Sequence, residues 1–133
     1  MKYIVNGSII LKDGIVEDSV LAFDSKICGW TSKEQVPEGA EIIDAKGGFI
    51  APGLIDIHIH GYLGEDASDG SAEGIKKMAN GIIKNGVTSW CPTTMTVSMD
   101  EINEALNTVR SLKEESKGWQ GAEILGVNLE GPF

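Results

Sequence analysis

The sequence predicts an α/β fold in which a small β-sheet unit precedes the opening part of a parallel barrel. Three observations predict it. The first fifty residues are short β-prone runs separated by turn signals. After Pro52-Gly53 the pattern becomes strand, helix, strand, helix, strand with short connections, which implies parallel strands joined by right-handed crossovers. The polar residues best suited to chemistry, His58, His60, Thr93, Thr94 and Glu130, all fall at the carboxyl end of a strand, the end that carries chemistry in parallel barrels. A doubly wound open sheet is the competing architecture, but no Gly-x-Gly-x-x-Gly phosphate loop follows the first strand of this section. The division falls into an N-terminal β-sheet over 1–50 and a barrel section over 51–133.

In the first section, strands are expected over 3–5, 8–11, 15–17, 20–24, 27–30 and 41–44, with Asn6-Gly7 and Asp13-Gly14 as hairpin signals and Gly47-Gly48 as the closing break. In the second, residues 54–59 form a strand and the Gly-rich, acidic stretch 61–70 a loop. A helix follows over 71–84, because Ile75, Met78, Ala79, Ile82 and Ile83 recur at one-face helical spacing. Asn85-Gly86 ends that helix, glycine supplying the left-handed cap. Residues 87–91 are the second strand, which Pro92 should stop because it has no N–H to donate. Ser98-Met99-Asp100-Glu101 reads as a capping box opening a helix to 116, with Ile102, Ala105, Leu106, Val109 and Leu112 facing inward. A third strand over 123–129 delivers Glu130.

With 133 residues, 41% of them hydrophobic, the chain has material for a core, and intrinsic disorder is not expected. The net charge of −9 argues against nucleic acid or an anionic membrane surface as the main partner, while leaving a small anionic substrate open. Cys28 and Cys91 make no disulfide framework and are expected as reduced, buried thiols. The first residues lack the apolar core of a signal peptide, and no apolar run reaches the ~18 residues of a membrane span, so a cytoplasmic location is expected.

His58-Ile59-His60 holds the only two histidines. At the end of an alternating strand, the period of two points both imidazoles to one face, an arrangement suited to a divalent transition metal. The competing reading is a pair of polar residues ending a buried strand. Glu130 is the third candidate ligand, provided that its strand lies two places from the histidine strand; otherwise it is an ordinary acid at a strand end. Asp56 shares the histidines' parity, and either orients a ligand or serves as a buried structural carboxylate bonded to backbone. Thr93 and Thr94 suit hydrogen bonds to substrate or to neighbouring loops. Cys91 has no assignable base and reads as a small core residue. Trp30, Trp90 and Trp119 are too scattered for a stacking platform and are expected in core or rim packing. Arg110, the only arginine, is expected in solvent, which leaves no evident phosphate clamp.

These residues resemble a known family. Ala-Pro-Gly-Leu-Ile-Asp-Ile-His-Ile-His-Gly at 51–61 is similar to the first barrel strand of the amidohydrolase superfamily, metal-dependent hydrolases with a (β/α)8 barrel and a small β-sandwich formed partly by the N-terminus. Cys91-Pro-Thr-Thr-Met95 and Asn128-Leu-Glu-Gly-Pro-Phe133 resemble the second and third strand ends of its amino-sugar-phosphate deacetylases. The resemblance implies that Glu130 is a metal ligand and that His58 and His60 belong to members able to hold a second ion, with a divalent metal, zinc or iron, in one or two copies. It implies hydrolysis of N-acetylglucosamine 6-phosphate to glucosamine 6-phosphate and acetate. A general-base aspartate, two further histidine ligands and the phosphate-binding residues are then expected beyond position 133. No catalytic residue is assigned within the chain, which is expected to be an inactive N-terminal portion that packs as a homo-oligomer. Two alternatives stay open: an amidohydrolase acting on cyclic amides, and a non-catalytic α/β module.

Overall fold

The computed structural model describes residues 1–131, so Pro132 and Phe133 of the last motif lie outside the described residues. The chain divides into two compact units, Met1–Pro52 and Gly53–Phe133.

The first unit contains β1 (Lys2–Val5), β2 (Ser8–Leu11), β3 (Gly14–Val16), β4 (Val20–Phe23), β5 (Ile27–Thr31), β6 (Glu41–Asp44) and β7 (Phe49–Ile50). One sheet has the order β5-β4-β1-β6 and the other β3-β2-β7. Strand β4 explains how so short a chain builds a core. Its alternating side chains divide between two clusters, Val20 and Ala22 with Tyr3, and Leu21 with Ile9 and Ile50. The Asp13-Gly14 signal makes the expected hairpin, with Leu11 opposite Gly14. Asn6-Gly7 does not. It carries the chain from one sheet to the other, since β1 pairs with β4 and β6 and never with β2. Asn6 takes φ 56, and a Cβ on Gly7 would stand 2.7 Å from the Ala45 Cβ, so close approach rather than strand reversal selects the glycine. Sequence reading also misses the short β7 and a 3-10 turn at Lys33–Gln35.

The second unit contains β8 (Leu54–Ile59), β9 (Gly61–Tyr62), β10 (Glu65–Asp66), α1 (Ala72–Ile82), β11 (Val87–Thr94), α2 (Met99–Ser116), β12 (Glu123–Ile124) and β13 (Asn128–Leu129). β11 is central. It pairs in parallel with β8 on one side and with β12 and β13 on the other, so β13 lies two places from the histidine strand. α1 and α2 form the two connections, burying Ile75, Met78, Ala79, Ile82, Val109 and Leu112 with Trp90 and Ile124 in one cluster. Ile83 and Leu106 are only half-buried. The Ser71 hydroxyl accepts the Gly74 N–H at 3.0 Å, and Ser98 with Glu101 forms the expected capping box. Gly86 closes the first helical segment at φ 86.

Four details differ from expectation. The stretch 61–70 holds the β9–β10 hairpin and a 3-10 turn, Ala67–Asp69, instead of plain loop. The strand expected over 123–129 is broken between Ile124 and Asn128, although the Leu125 N–H still donates to the Trp90 carbonyl at 2.9 Å and keeps the chain beside β11. Pro92 does not stop β11, which continues to Thr94. The pairing with β8 shifts register between Trp90 and Pro92, and this irregularity accommodates the missing donor. Lastly, Trp30 and Cys28 are exposed, because β5 is an edge strand of a small sheet. Trp90 is fully buried and Trp119 half-buried.

Candidate metal centre

At the carboxyl end of the parallel sheet three side chains converge. The His58 and His60 Nε2 atoms stand 3.3 Å apart, and the Glu130 Oε2 lies 2.7 Å from the first and 3.2 Å from the second. Among the described residues, this trio is the group of acids, histidines and cysteines with ligand atoms close enough to share an ion. The two rings meet edge to face, 5.1 Å between centroids.

The proton inventory of this trio decides its chemistry. His60 Nδ1 lies 3.2 Å from the Thr93 carbonyl, which can only accept, so Nδ1 carries the proton and a neutral His60 presents a bare lone pair at Nε2. The His58 Nε2, donating to Glu130, is then the only donor facing two lone-pair atoms. With the His58 proton on Nδ1 instead, all three atoms aim lone pairs at one point and fit a cation. A tetrahedral ion with nitrogen ligands at about 2.0–2.1 Å separates them by about 3.3 Å, the spacing the imidazoles already have.

The strand around the histidines is held by side chains where the backbone ladder is irregular. The Ile59 N–H donates to Thr93 Oγ1 at 3.0 Å, and Thr93 Oγ1 donates to the Cys91 carbonyl at 3.2 Å. The His58 N–H donates to Asp56 Oδ1 at 3.0 Å, and the Ala67 N–H donates to the His60 carbonyl at 2.7 Å. Asp56 thus takes its backbone-bonded role, but half-buried instead of buried. Thr93 and Thr94 are buried, so neither hydroxyl is open to a ligand. Cys91 is half-buried and Arg110 exposed. Asn128 was not singled out from the sequence, yet its amide donates to the Ile57 carbonyl at 2.9 Å. The available signal was an asparagine inside a strand, where the residue is depleted, sharing the parity of Glu130.

No protein-family model matches the chain. It is 36% identical over 132 residues to N-acetylglucosamine-6-phosphate deacetylase of Bacillus subtilis, a match covering 98% of this chain and 32% of the relative. It is 31% identical over 125 residues to N-acetylgalactosamine-6-phosphate deacetylase of Escherichia coli O157:H7, covering 94% of this chain and 32% of that one. In structure it superimposes on the crystallised N-acetylglucosamine-6-phosphate deacetylase of Pasteurella multocida with a TM-score of 0.87 at 28% identity, over 99% of this chain and 34% of that one. The chain therefore spans about a third of the length of the relatives it matches. The amidohydrolase resemblance narrows accordingly: in sequence and in fold, the chain is a relative of the N-acetylglucosamine-6-phosphate deacetylases over about a third of their length.

Proposed function

We propose that the chain is the metal-ligand-bearing N-terminal portion of a cytoplasmic amide hydrolase that removes the acetyl group from N-acetylglucosamine 6-phosphate. Its parallel strands form the first part of a (β/α)8 barrel, and its N-terminal sheets contribute to a small β-sandwich. One observation carries the reading: His58, His60 and Glu130, separated by up to 72 residues, bring their ligand atoms within 3.3 Å of one another at the end where barrels work. A divalent ion bound there, zinc or iron, in one or two copies, would polarise the amide carbonyl and lower the pKa of a water.

The chain's own residues prepare that site. The Thr93 carbonyl holds the His60 proton on Nδ1 and so turns Nε2 toward the centre. Glu130 supplies a negative charge that offsets part of a divalent ion's charge. Asp56 occupies its carboxylate with the His58 amide, which fixes the backbone beneath that ligand. The groups that take the water's proton and hold the sugar phosphate belong, on this reading, to the two-thirds of the relatives' length that the chain does not span. The relative acting by name on the galactosamine epimer supports the amide chemistry and leaves the glucosamine epimer favoured by the higher identity, 36% against 31%.

Titration of the purified chain with Co²⁺, followed by visible absorption, tests the site. Stoichiometric binding that disappears in His58→Ala and weakens at least about tenfold in Glu130→Gln supports the reading. Binding unchanged in both variants, or no binding by the unaltered chain, overturns it. The isolated chain should release no acetate from N-acetylglucosamine 6-phosphate; measurable release would overturn the assignment of the general base to residues elsewhere.

A further inference from the structure

Backbone pairing leaves one distance at the metal centre unset. β13 is held to β11 by two pairs, Thr93 with Asn128 and Thr94 with Leu129, and Glu130 follows the last of them. The histidines stand on and just after β8, on the opposite side of β11. No ladder joins β8 to β13, so strand pairing alone does not dictate how far the Glu130 carboxylate lies from the imidazoles.

We infer that Asn128 is a positioning residue that spans this gap, its side-chain amide locking the glutamate strand to the histidine strand. Its Nδ2 donates to the Ile57 carbonyl at 2.9 Å, across 71 residues of chain. Ile57 adjoins His58, and Asn128 stands two residues before Glu130 on the same side of its strand. One hydrogen bond therefore couples the backbone carrying one ligand to the backbone carrying another. The β8–β11 pairing shifts register between Trp90 and Pro92, on the stretch of β8 that includes Ile57, and Pro92 has no N–H to offer there. The same irregularity gives the Ile59 N–H to the Thr93 hydroxyl. Side chains thus replace ladder partners at the level where the ligands emerge.

This inference rests on the metal reading above and is tested so that the two can fail separately. Co²⁺ titration is performed on the full chain and on Asn128→Leu, which keeps similar bulk and removes the donor, with Asn128→Gln as the amide-retaining variant. Ser98→Ala, which damages the α2 cap far along the chain, supplies a comparison with lowered stability and an intact centre. The expectation is that Asn128→Leu weakens Co²⁺ binding at least about tenfold and alters the visible spectrum as Glu130 withdraws, that Asn128→Gln restores part of both, and that Ser98→Ala changes neither. Native Co²⁺ affinity and spectrum in Asn128→Leu would overturn the positioning role while leaving the metal reading intact. Equal weakening in Ser98→Ala would also overturn it, by tracing the loss to stability alone. Failure of the unaltered chain to bind Co²⁺ would overturn the metal reading, and the positioning role with it.

Discussion

β8 and β11 are adjacent parallel strands, and β8, the one richer in Leu and Ile, is the less buried of the two. β11 has a neighbour on each edge and buries Trp90, Pro92, Thr93 and Thr94. Among the described residues β8 is paired only along one edge, and its Leu54, Ile55 and Ile57 remain 61–66% exposed. Burial follows from neighbours rather than from residue type. An apolar strand with a bare edge is unfinished surface, and barrels remove such edges by closing.

The contrast has measurable consequences. The largest is at Trp90: replacing it with alanine should cost about 3–5 kcal/mol in denaturant unfolding and leave the second unit unfolded or molten, because its ring is fully enclosed between the helices and the sheet. Ile57→Ala, by the same measurement, should cost less than about 0.5 kcal/mol, since its side chain is already in water. Equal losses at the two positions would dissolve the comparison. Next in size is association. The bare β8 edge should make the chain pair with other copies, and Ile55→Lys with Ile57→Lys should return it to a monomer in sedimentation; a monomeric unaltered chain at high concentration would count against a usable edge.

Smaller effects come from the helix that covers β11. Ser98→Ala should cost about 1 kcal/mol, because its hydroxyl accepts the Glu101 N–H at 3.3 Å and no neighbouring group replaces it in the capping box. The smallest concerns acid. The Ser98 hydroxyl, and then the Ser98 backbone N–H, hold the Glu101 carboxyl below its ordinary value. A carboxylate whose folded pKa is depressed contributes stability above its unfolded pKa, and that contribution disappears as pH falls through the folded value. Stability curves measured from about pH 7 to about pH 3 should therefore drop in the acid range, and the drop should be smaller in Glu101→Gln.

Much of the second unit was legible because local rules and tertiary context agree there. The spacing of Ile75, Met78, Ala79 and Ile82 describes the buried stripe of α1, and Ser98 with Glu101 describes the start of α2. Where they disagree, sequence reading erred. Asn6-Gly7 has a hairpin's residues, but β1 finds its partners far along the chain. Pro92 has a strand-breaker's chemistry, but a register shift accommodates it, and side chains serve β8 nearby: the Asn128 amide donates to the Ile57 carbonyl and the Thr93 hydroxyl accepts the Ile59 N–H. Cys28 and Trp30 have core-forming side chains, but they stand exposed on an edge strand. Asn128 itself could be noticed, but its pairing with Ile57 could not, because a contact across 71 residues leaves no trace in spacing.

Local chemistry was enough to say which atoms could serve as ligands and on which side of a strand the two imidazoles stand, because the two-residue period of an extended chain is a property of the backbone itself. That Glu130 meets them, that His60 turns Nδ1 to the Thr93 carbonyl, and which apolar residues lie in water emerge only when the chain is folded. Those outcomes depend on the order of strands around β11 and on hydrogen bonds between residues distant in the chain, and no local preference encodes either.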